Sequence, residues 1–114
     1  MKYFPFFLQL DQLPCLIVGG GSVAERKLDL LIKAKADITV ISLEFSDYIL
    51  DLAKTHNIRC VKKEYSNKIL EEYKYNFVIS ATNDVSLNER VAKDCKKYNI
   101  IVNVVDQPEI CDFI

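Results

Sequence analysis

Three consecutive glycines followed closely by a small residue, Gly19-Gly20-Gly21-Ser22-Val23-Ala24, are the part of this sequence best suited to chemistry. The pattern G-x-G-x-x-[GA] removes side chains where a backbone must come close to a phosphate, and it carries meaning only between a strand and a helix. Here the apolar run Cys15-Leu16-Ile17-Val18 leads into it and a helical pattern from about Ser22 to Lys35 leads out. Gly19 permits a tight turn, Gly21 clears the path of a pyrophosphate, and Ala24 is small enough for the helix to pack closely on the sheet. The first N–H groups of that helix, with their partial positive charge, would face the phosphates. The same glycines could merely let a strand meet a helix. The alternating units that follow them favour a dinucleotide.

A dinucleotide site also needs a group for the adenosine ribose, an Asp or Glu about 20 residues beyond the glycines. Ser42 stands there, with Glu44 two positions on. Either Glu44 or the backbone around Ser42-Leu43 therefore serves the ribose. No arginine follows this strand to meet a 2′-phosphate, which favours NAD over NADP.

Two further loops leave strands at the same edge, where open α/β sheets bind their ligands. Ala81-Thr82-Asn83-Asp84 offers Thr82 and Asn83 to a cofactor, although helix capping alone accounts for such residues. Asn103-Val104-Val105-Asp106-Gln107-Pro108 offers Asn103 to the cofactor and Asp106 as a carboxylate near a nicotinamide ring. The plainer reading of Asp106 is a turn-forming aspartate ahead of Pro108.

The other chemistry-bearing residues read as structural. His56, the single histidine, closes a helix face where an imidazole interacts with the helix dipole. Cys15, Cys60, Cys95 and Cys111 show no CxxC pairing and are expected as reduced thiols in the core, with no metal site. Lys33-Ala34-Lys35 and Lys62-Lys63 are expected as solvated faces.

Holding these loops at one edge requires a parallel sheet. Cys15-Leu16-Ile17-Val18, Ile38-Thr39-Val40-Ile41, Ile58-Arg59-Cys60-Val61, Phe77-Val78-Ile79-Ser80 and Ile100-Ile101-Val102-Asn103-Val104 are near-continuous apolar runs, as befits strands covered on both faces. Between them, Val23, Leu28, Leu31 and Ile32 mark the inner side of one helix. Phe45, Tyr48, Ile49, Leu52, Ala53 and His56 mark a second, and Leu87, Val91, Cys95 and Tyr98, behind an N-cap at Asp84, mark another. A short, weakly patterned helix is expected between Ser66 and Tyr73, and an extra edge strand from Phe6 to Gln9 before the turn at Asp11-Gln12-Leu13-Pro14. The fold predicted is a doubly wound, Rossmann-type α/β sheet in the order 3-2-1-4-5, with helices on both faces and right-handed crossovers.

Composition agrees. With 114 residues, 50% of them hydrophobic and 27% charged, the chain reads as a single globular domain over 1-114. A net charge of -1 lacks the basic footprint of a nucleic-acid binder. The apolar stretch Lys2-Tyr3-Phe4-Pro5-Phe6-Phe7-Leu8 is interrupted by Pro5 and too short for a signal sequence, and no run is long enough to span a membrane. These features point to a cytoplasmic protein.

With the motifs in place, the sequence resembles the precorrin-2 dehydrogenase family, the dehydrogenase and chelatase module of siroheme synthases. The resemblance runs from Phe4 to Ile114. It rests on Cys15 to Lys27, on Ala81-Thr82-Asn83-Asp84 with Asn88 beyond, and on Asn103-Val104-Val105-Asp106 followed by Pro108 and Phe113-Ile114. It implies NAD-dependent oxidation of precorrin-2 to sirohydrochlorin, and in some members insertion of Fe²⁺ to give siroheme. Gly19 to Val23 and Leu43-Glu44 would line the NAD site, and Asp106 would be the catalytic carboxylate. Asn83 stands where many relatives carry aspartate, and Gln107 where several carry a second acid. The resemblance further implies a helical dimerisation region beyond Ile114 and a homodimer. Because the tetrapyrrole is a polycarboxylate and this chain offers little cationic charge near the nicotinamide edge beyond Arg26 and Lys27, the missing donors are expected from that region or from a partner subunit. The rival reading is a non-catalytic, dinucleotide-sensing regulatory domain, which the same fold would suit.

Overall fold

Five apolar runs, each bounded by turn-forming residues, pair side by side in the computed structural model, which describes Phe4 and residues 7–113. The strands are β1 (Pro14–Val18), β2 (Asp37–Ser42), β3 (Ile58–Lys62), β4 (Phe77–Ser80) and β5 (Ile101–Val104), and the helices between them are α1 (Ser22–Lys33), α2 (Asp47–Thr55), α3 (Lys68–Glu72) and α4 (Val85–Lys97). A 3₁₀ turn, Pro108–Ile110, follows β5. All neighbours are parallel and the order is β3-β2-β1-β4-β5, the doubly wound Rossmann-type arrangement expected. β1 is central, and its run from Cys15 to Val18 is buried on both faces.

Alternation along the strands divides the core into two layers. Leu16, Val18, Ile41, Val78, Val102 and Val104 face α3 and α4, meeting Ile69, Leu70, Val91 and Cys95. Cys15, Ile17, Ile38, Val40, Phe77 and Ile79 face the other side, meeting Ala24, Leu28 and Leu31 of α1 and Ile49 of α2. The four cysteines are free and split between these layers. Cys15 and Cys60 lie on one side of the sheet and Cys95 and Cys111 on the other, so no single ion could touch all four.

Several boundaries differ from expectation for local reasons. α1 ends at Lys33 because Lys35 takes the left-handed conformation at φ 59, and the Ala36 N–H closes onto the Leu31 carbonyl at 3.2 Å. β5 begins at Ile101 because the Ile100 N–H is used in the same kind of closure, onto Cys95 at 2.8 Å beside Asn99 at φ 57. Tyr48 is exposed rather than on the inner face of α2, and its hydroxyl donates to Asp29 of α1 at 2.7 Å. His56 caps α2 as expected, with Nδ1 3.3 Å from the Leu52 carbonyl. The edge strand expected from Phe6 to Gln9 does not form across Phe7 to Gln9, where Phe7 is fully exposed and no strand pairing occurs among the described residues, and Phe6 lies outside the described residues.

Burial pushes the Cys15 thiol from an ordinary 9.0 up to about 12, Asp37 adding to the shift and Arg59 opposing it, and burial lifts Cys95 to about 12 with Asp94 and Asp112 adding. A thiol whose folded pKa lies above its unfolded value stabilises the fold fully below the unfolded value and progressively less above it. Tyr65, raised by burial and by its bond to Asp94, acts in the same sense. The urea midpoint should therefore hold level up to pH 9.0 and fall between there and about 12, and Cys15→Ala should make that fall shallower. A midpoint that stays level through this range would show that neither thiol is sealed from water.

Candidate functional site

The sheet fixes the first residue of the loops after β1, β3, β4 and β5 at its C-terminal edge. Gly19 N–H bonds to Ile41 O at 3.0 Å, Ala81 N–H to Val18 O at 2.8 Å, Lys63 N–H to Ser42 O at 3.0 Å and Val105 N–H to Ser80 O at 3.1 Å. Between β1 and β4 the order of connection reverses, and the loops diverge around a cleft of about 440 Å³. The glycine turn with Ser22 and Val23, the end of β2 at Ser42 and Leu43, and the loop Thr82 to Asp84 line it. Lys63, Tyr65 and Arg90 form a further wall.

The three glycines have different reasons to be glycine. Gly19, at φ +127, passes so close to β4 that a Cβ would stand 2.1 Å from the Ala81 carbonyl oxygen, and a Cβ on Gly20 would stand 2.1 Å from that of Glu44. A Cβ on Gly21, which lines the cleft, would meet nothing within 4 Å. The helix behind it is open too. Ser46 caps α2 and Asp84 caps α4 through their side chains, whereas Gly21 gives α1 no side-chain cap. The first turn of α1 thus begins at a residue with neither a side chain nor a capping bond, on the wall of the cleft, which fits a dinucleotide pyrophosphate. Ala24 is fully buried under α1, so its part is the close packing of helix on sheet and not cofactor contact.

Of the two groups considered for the ribose, Ser42 and Leu43 line the cleft and Glu44 does not. Glu44 is exposed; its N–H donates to Ser42 Oγ at 3.4 Å and its carbonyl lies under Gly20. The Ser46 N–H reaches the Gly20 carbonyl at 2.8 Å, so this segment wraps the outside of the glycine turn. Lys63, expected only as part of a solvated face, is exposed yet stands on the cleft wall. Arg90, which sequence reasoning missed, is anchored by the Tyr65 carbonyl at 3.4 Å with its guanidinium 5.5 Å from the centre of the Tyr65 ring. Tyr65 in turn donates to Asp94 at 2.9 Å. The position of Lys63 directly after β3 could have signalled its place, but nothing in the spacing of Arg90 does.

Thr82 and Asn83 line the cleft, and Asp84 is the N-cap expected, accepting from the Leu87 N–H at 3.1 Å. Beneath this loop lies Asn88, only 2% exposed. Its Oδ1 accepts from Ser80 Oγ at 2.8 Å and Thr82 Oγ1 at 2.6 Å, and its Nδ2 donates to the Thr82 carbonyl at 3.1 Å and to Gln107 Oε1 at 3.2 Å. Asp106 is exposed on the turn after β5 at φ 65, at the same edge of the sheet but not on the cleft wall. Asn103 does not line the cleft either. It pairs with Ile79, so its side chain turns to the face that α1 and α2 cover, where Nδ2 donates to the Phe113 carbonyl at 3.0 Å and Oδ1 is buried without a partner among the described residues.

A family model described as "Putative NAD(P)-binding" matches residues 6–114. Over all 114 residues the chain is 46% identical to the siroheme synthase of Methylococcus capsulatus and 42% identical to that of Psychromonas ingrahamii, covering 24% of each. It is 44% identical to the siroheme synthase of a Psychrobacter species, of which it covers 23%. The chain thus spans about a quarter of the length of these curated relatives. Among solved structures, SirC, a precorrin-2 dehydrogenase, superposes with a TM-score of 0.79 at 27% identity over 90% of this chain and 50% of that one. With the glycine turn, the reversal point and the open helix terminus all in place, the chain belongs to this NAD(P)-binding family.

Proposed function

We propose that this chain is the NAD-dependent dehydrogenase module that oxidises precorrin-2 to sirohydrochlorin in siroheme synthesis. The observation that carries the reading is the cleft at the sheet's reversal point, where the open Cβ position of Gly21 lies before an uncapped helix, with Asp106 on the next loop of the same edge. The siroheme synthases and the precorrin-2 dehydrogenase similar to this chain support it.

Bound NAD supplies the acceptor for the hydride that leaves the tetrapyrrole. The chain's own residues do the rest. Gly21 and the first turn of α1 take the pyrophosphate, Ser42 and Leu43 face the adenosine ribose, and Thr82 and Asn83 bound the cofactor on the β4 side. Lys63 and Arg90 complement its negative charge from the far wall. Oxidation also releases a proton from the substrate, and Asp106, held at the sheet edge with its carboxylate exposed, receives it. The same carboxylate would take pyrrole protons as Fe²⁺ enters the macrocycle, so ferrochelatase activity, with Fe²⁺ as a second substrate, belongs to the proposal. So do a single dinucleotide-binding domain, a homodimeric native protein and a cytoplasmic setting.

Two substitutions separate cofactor binding from folding. Gly21→Val fills open space, so the circular dichroism spectrum and thermal midpoint should stay unchanged while NAD binding disappears from calorimetry. Gly20→Val, which collides with the Glu44 carbonyl, should lower the midpoint instead. Normal NAD affinity in Gly21→Val would refute the site.

In the native protein at its full natural length, Asp106→Ala should leave NAD affinity within about twofold and lower turnover by about 10²-fold or more, the usual scale of a lost acid–base group. NADH absorbance measures the rate. Unchanged turnover would remove Asp106 from the chemistry, and no oxidation of precorrin-2 by the unaltered protein would favour the dinucleotide-sensing reading.

A further inference from the structure

Asp106 is reached through a turn whose backbone is unusual. Its φ of 65 places a residue with a side chain in the left-handed region, and the Gln107 N–H closes the turn onto the Val104 carbonyl at 3.2 Å. A loop of this kind at the end of an edge strand could sample several positions unless something holds it. The hold is visible in Asn88. A carboxamide can accept with its oxygen and donate twice through its nitrogen, and here the oxygen takes two hydroxyls of the β4 segment while one N–H bond goes to the Thr82 carbonyl and the other to Gln107 Oε1. The bond to Gln107 is the one that leaves the β4 and α4 unit. It joins the cleft wall, through Thr82, to the residue directly after Asp106.

We propose that Asn88 and Gln107 form a brace that sets the position of the Asp106 carboxylate relative to the dinucleotide cleft, making both of them positioning residues for the oxidation. This rests on Asp106 acting as the proton acceptor proposed above. The residue types suit the task. An aspartate at position 88 would set a carboxylate oxygen against the carbonyl of Thr82 and Oε1 of Gln107, and a leucine would leave the hydroxyl of Ser80, which is fully buried, without its acceptor. Gln107 is long enough to reach inward while the residue before it stays exposed. The brace lets a buried network fix an exposed group without occupying the space a substrate needs.

Replacing Asn88 would disturb the buried Ser80 hydroxyl and the half-buried Thr82 hydroxyl as well as the brace, so Gln107 is the cleaner test. In the native protein at its full natural length, Gln107→Leu leaves one Asn88 N–H without its acceptor and should lower the thermal midpoint modestly, while it holds NAD affinity and KM for precorrin-2 within about threefold and kcat falls about tenfold or more, as expected when a reacting group is misplaced rather than lost. Gln107→Glu keeps an acceptor at the same reach and should restore kcat to within about threefold of the unaltered protein. In an Asp106→Ala background, Gln107→Leu should cause no further loss, because a positioning residue has nothing left to position. Normal kcat in Gln107→Leu, no recovery in Gln107→Glu, or a loss that adds in full to that of Asp106→Ala would each overturn the brace. Full turnover in Asp106→Ala would overturn the assignment of Asp106 and the brace with it. That result differs from a slow Asp106→Ala beside a normal Gln107→Leu, which removes the brace alone.

Discussion

The carbonyl oxygen of Ala81 lies 2.1 Å from the place where a Cβ on Gly19 would stand, so β1 and β4 can meet at their C-terminal ends only if that residue has no side chain. The close passage occurs at the reversal point of the sheet. Because β4 comes this near, the turn after β1 and the loop after β4 face one another across a single cleft. A side chain forced in at Gly19 would have to displace backbone, and the backbone it would displace is the start of the loop that carries Thr82 and Asn83. Gly20 imposes the same condition on the other flank, where the carbonyl of Glu44 fills its Cβ position. Gly21 is thereby presented at the surface with its neighbours already fixed, so in the proposed site backbone N–H groups rather than a charged side chain would meet the pyrophosphate.

Much of this was legible in the sequence because the relevant signals are local. β1 is central and buried on both faces, so it reads as an unbroken apolar run, and the glycines follow it without a gap. Asp84 was legible as a cap because an aspartate ahead of a helical pattern has few other uses. What escaped depends on direction and on register. Lys35 ends α1 in a left-handed conformation that a glycine or asparagine would have announced, as Asn99 does after α4. Glu44 was a sound candidate by distance along the chain, yet the segment it belongs to wraps back over Gly20 and carries the carboxylate out of the cleft. Asn103 leads into a promising loop, but it belongs to β5, and its pairing with Ile79 turns it to the opposite layer. Asn88 and Arg90 come from the interior of α4, and their roles appear only once α4 lies against β4.

The two layers also differ in what they do for the site. The α1 and α2 layer packs Ala24, Leu28 and Leu31 of α1 against the sheet, so its contribution is to hold the helix that starts at the glycine turn. The α3 and α4 layer buries Ser80 and Asn88 beside the cleft. Ser80 and Asn88 satisfy one another there, and Tyr65 takes Asp94 and supports Arg90. Buried polar groups cost free energy unless every partner is present, and each unmade bond at such a site costs about 1–3 kcal/mol. A complete network is correspondingly rigid, and this one borders the cleft wall.

The turn bearing Asp106 is held from outside as well. β5 is an edge strand, and the chain after the 3₁₀ turn folds back along it, covering N–H groups that would otherwise invite another strand. Asp112 accepts from the Val102 N–H at 3.1 Å, and the Cys111 sulfur accepts from the Val104 N–H at 3.0 Å while lying 3.2 Å from the Val104 carbonyl and 3.3 Å from that of Gln107. A non-glycine residue held in an unfavoured backbone region costs on the order of 1–3 kcal/mol, with aspartate toward the lower end because its side chain tolerates the left-handed conformation. A single hydrogen bond contributes about 0.5–1.5 kcal/mol, so one contact would barely offset that cost and several can. Asn88 reaches Gln107 from the cleft side, Cys111 reaches Val104 and Gln107 from the edge, and Asp106 stands between them with its backbone fixed and its carboxylate free. The groups that meet the strain are therefore not the groups that would meet the substrate, and the exposed acid can be precisely placed without being buried.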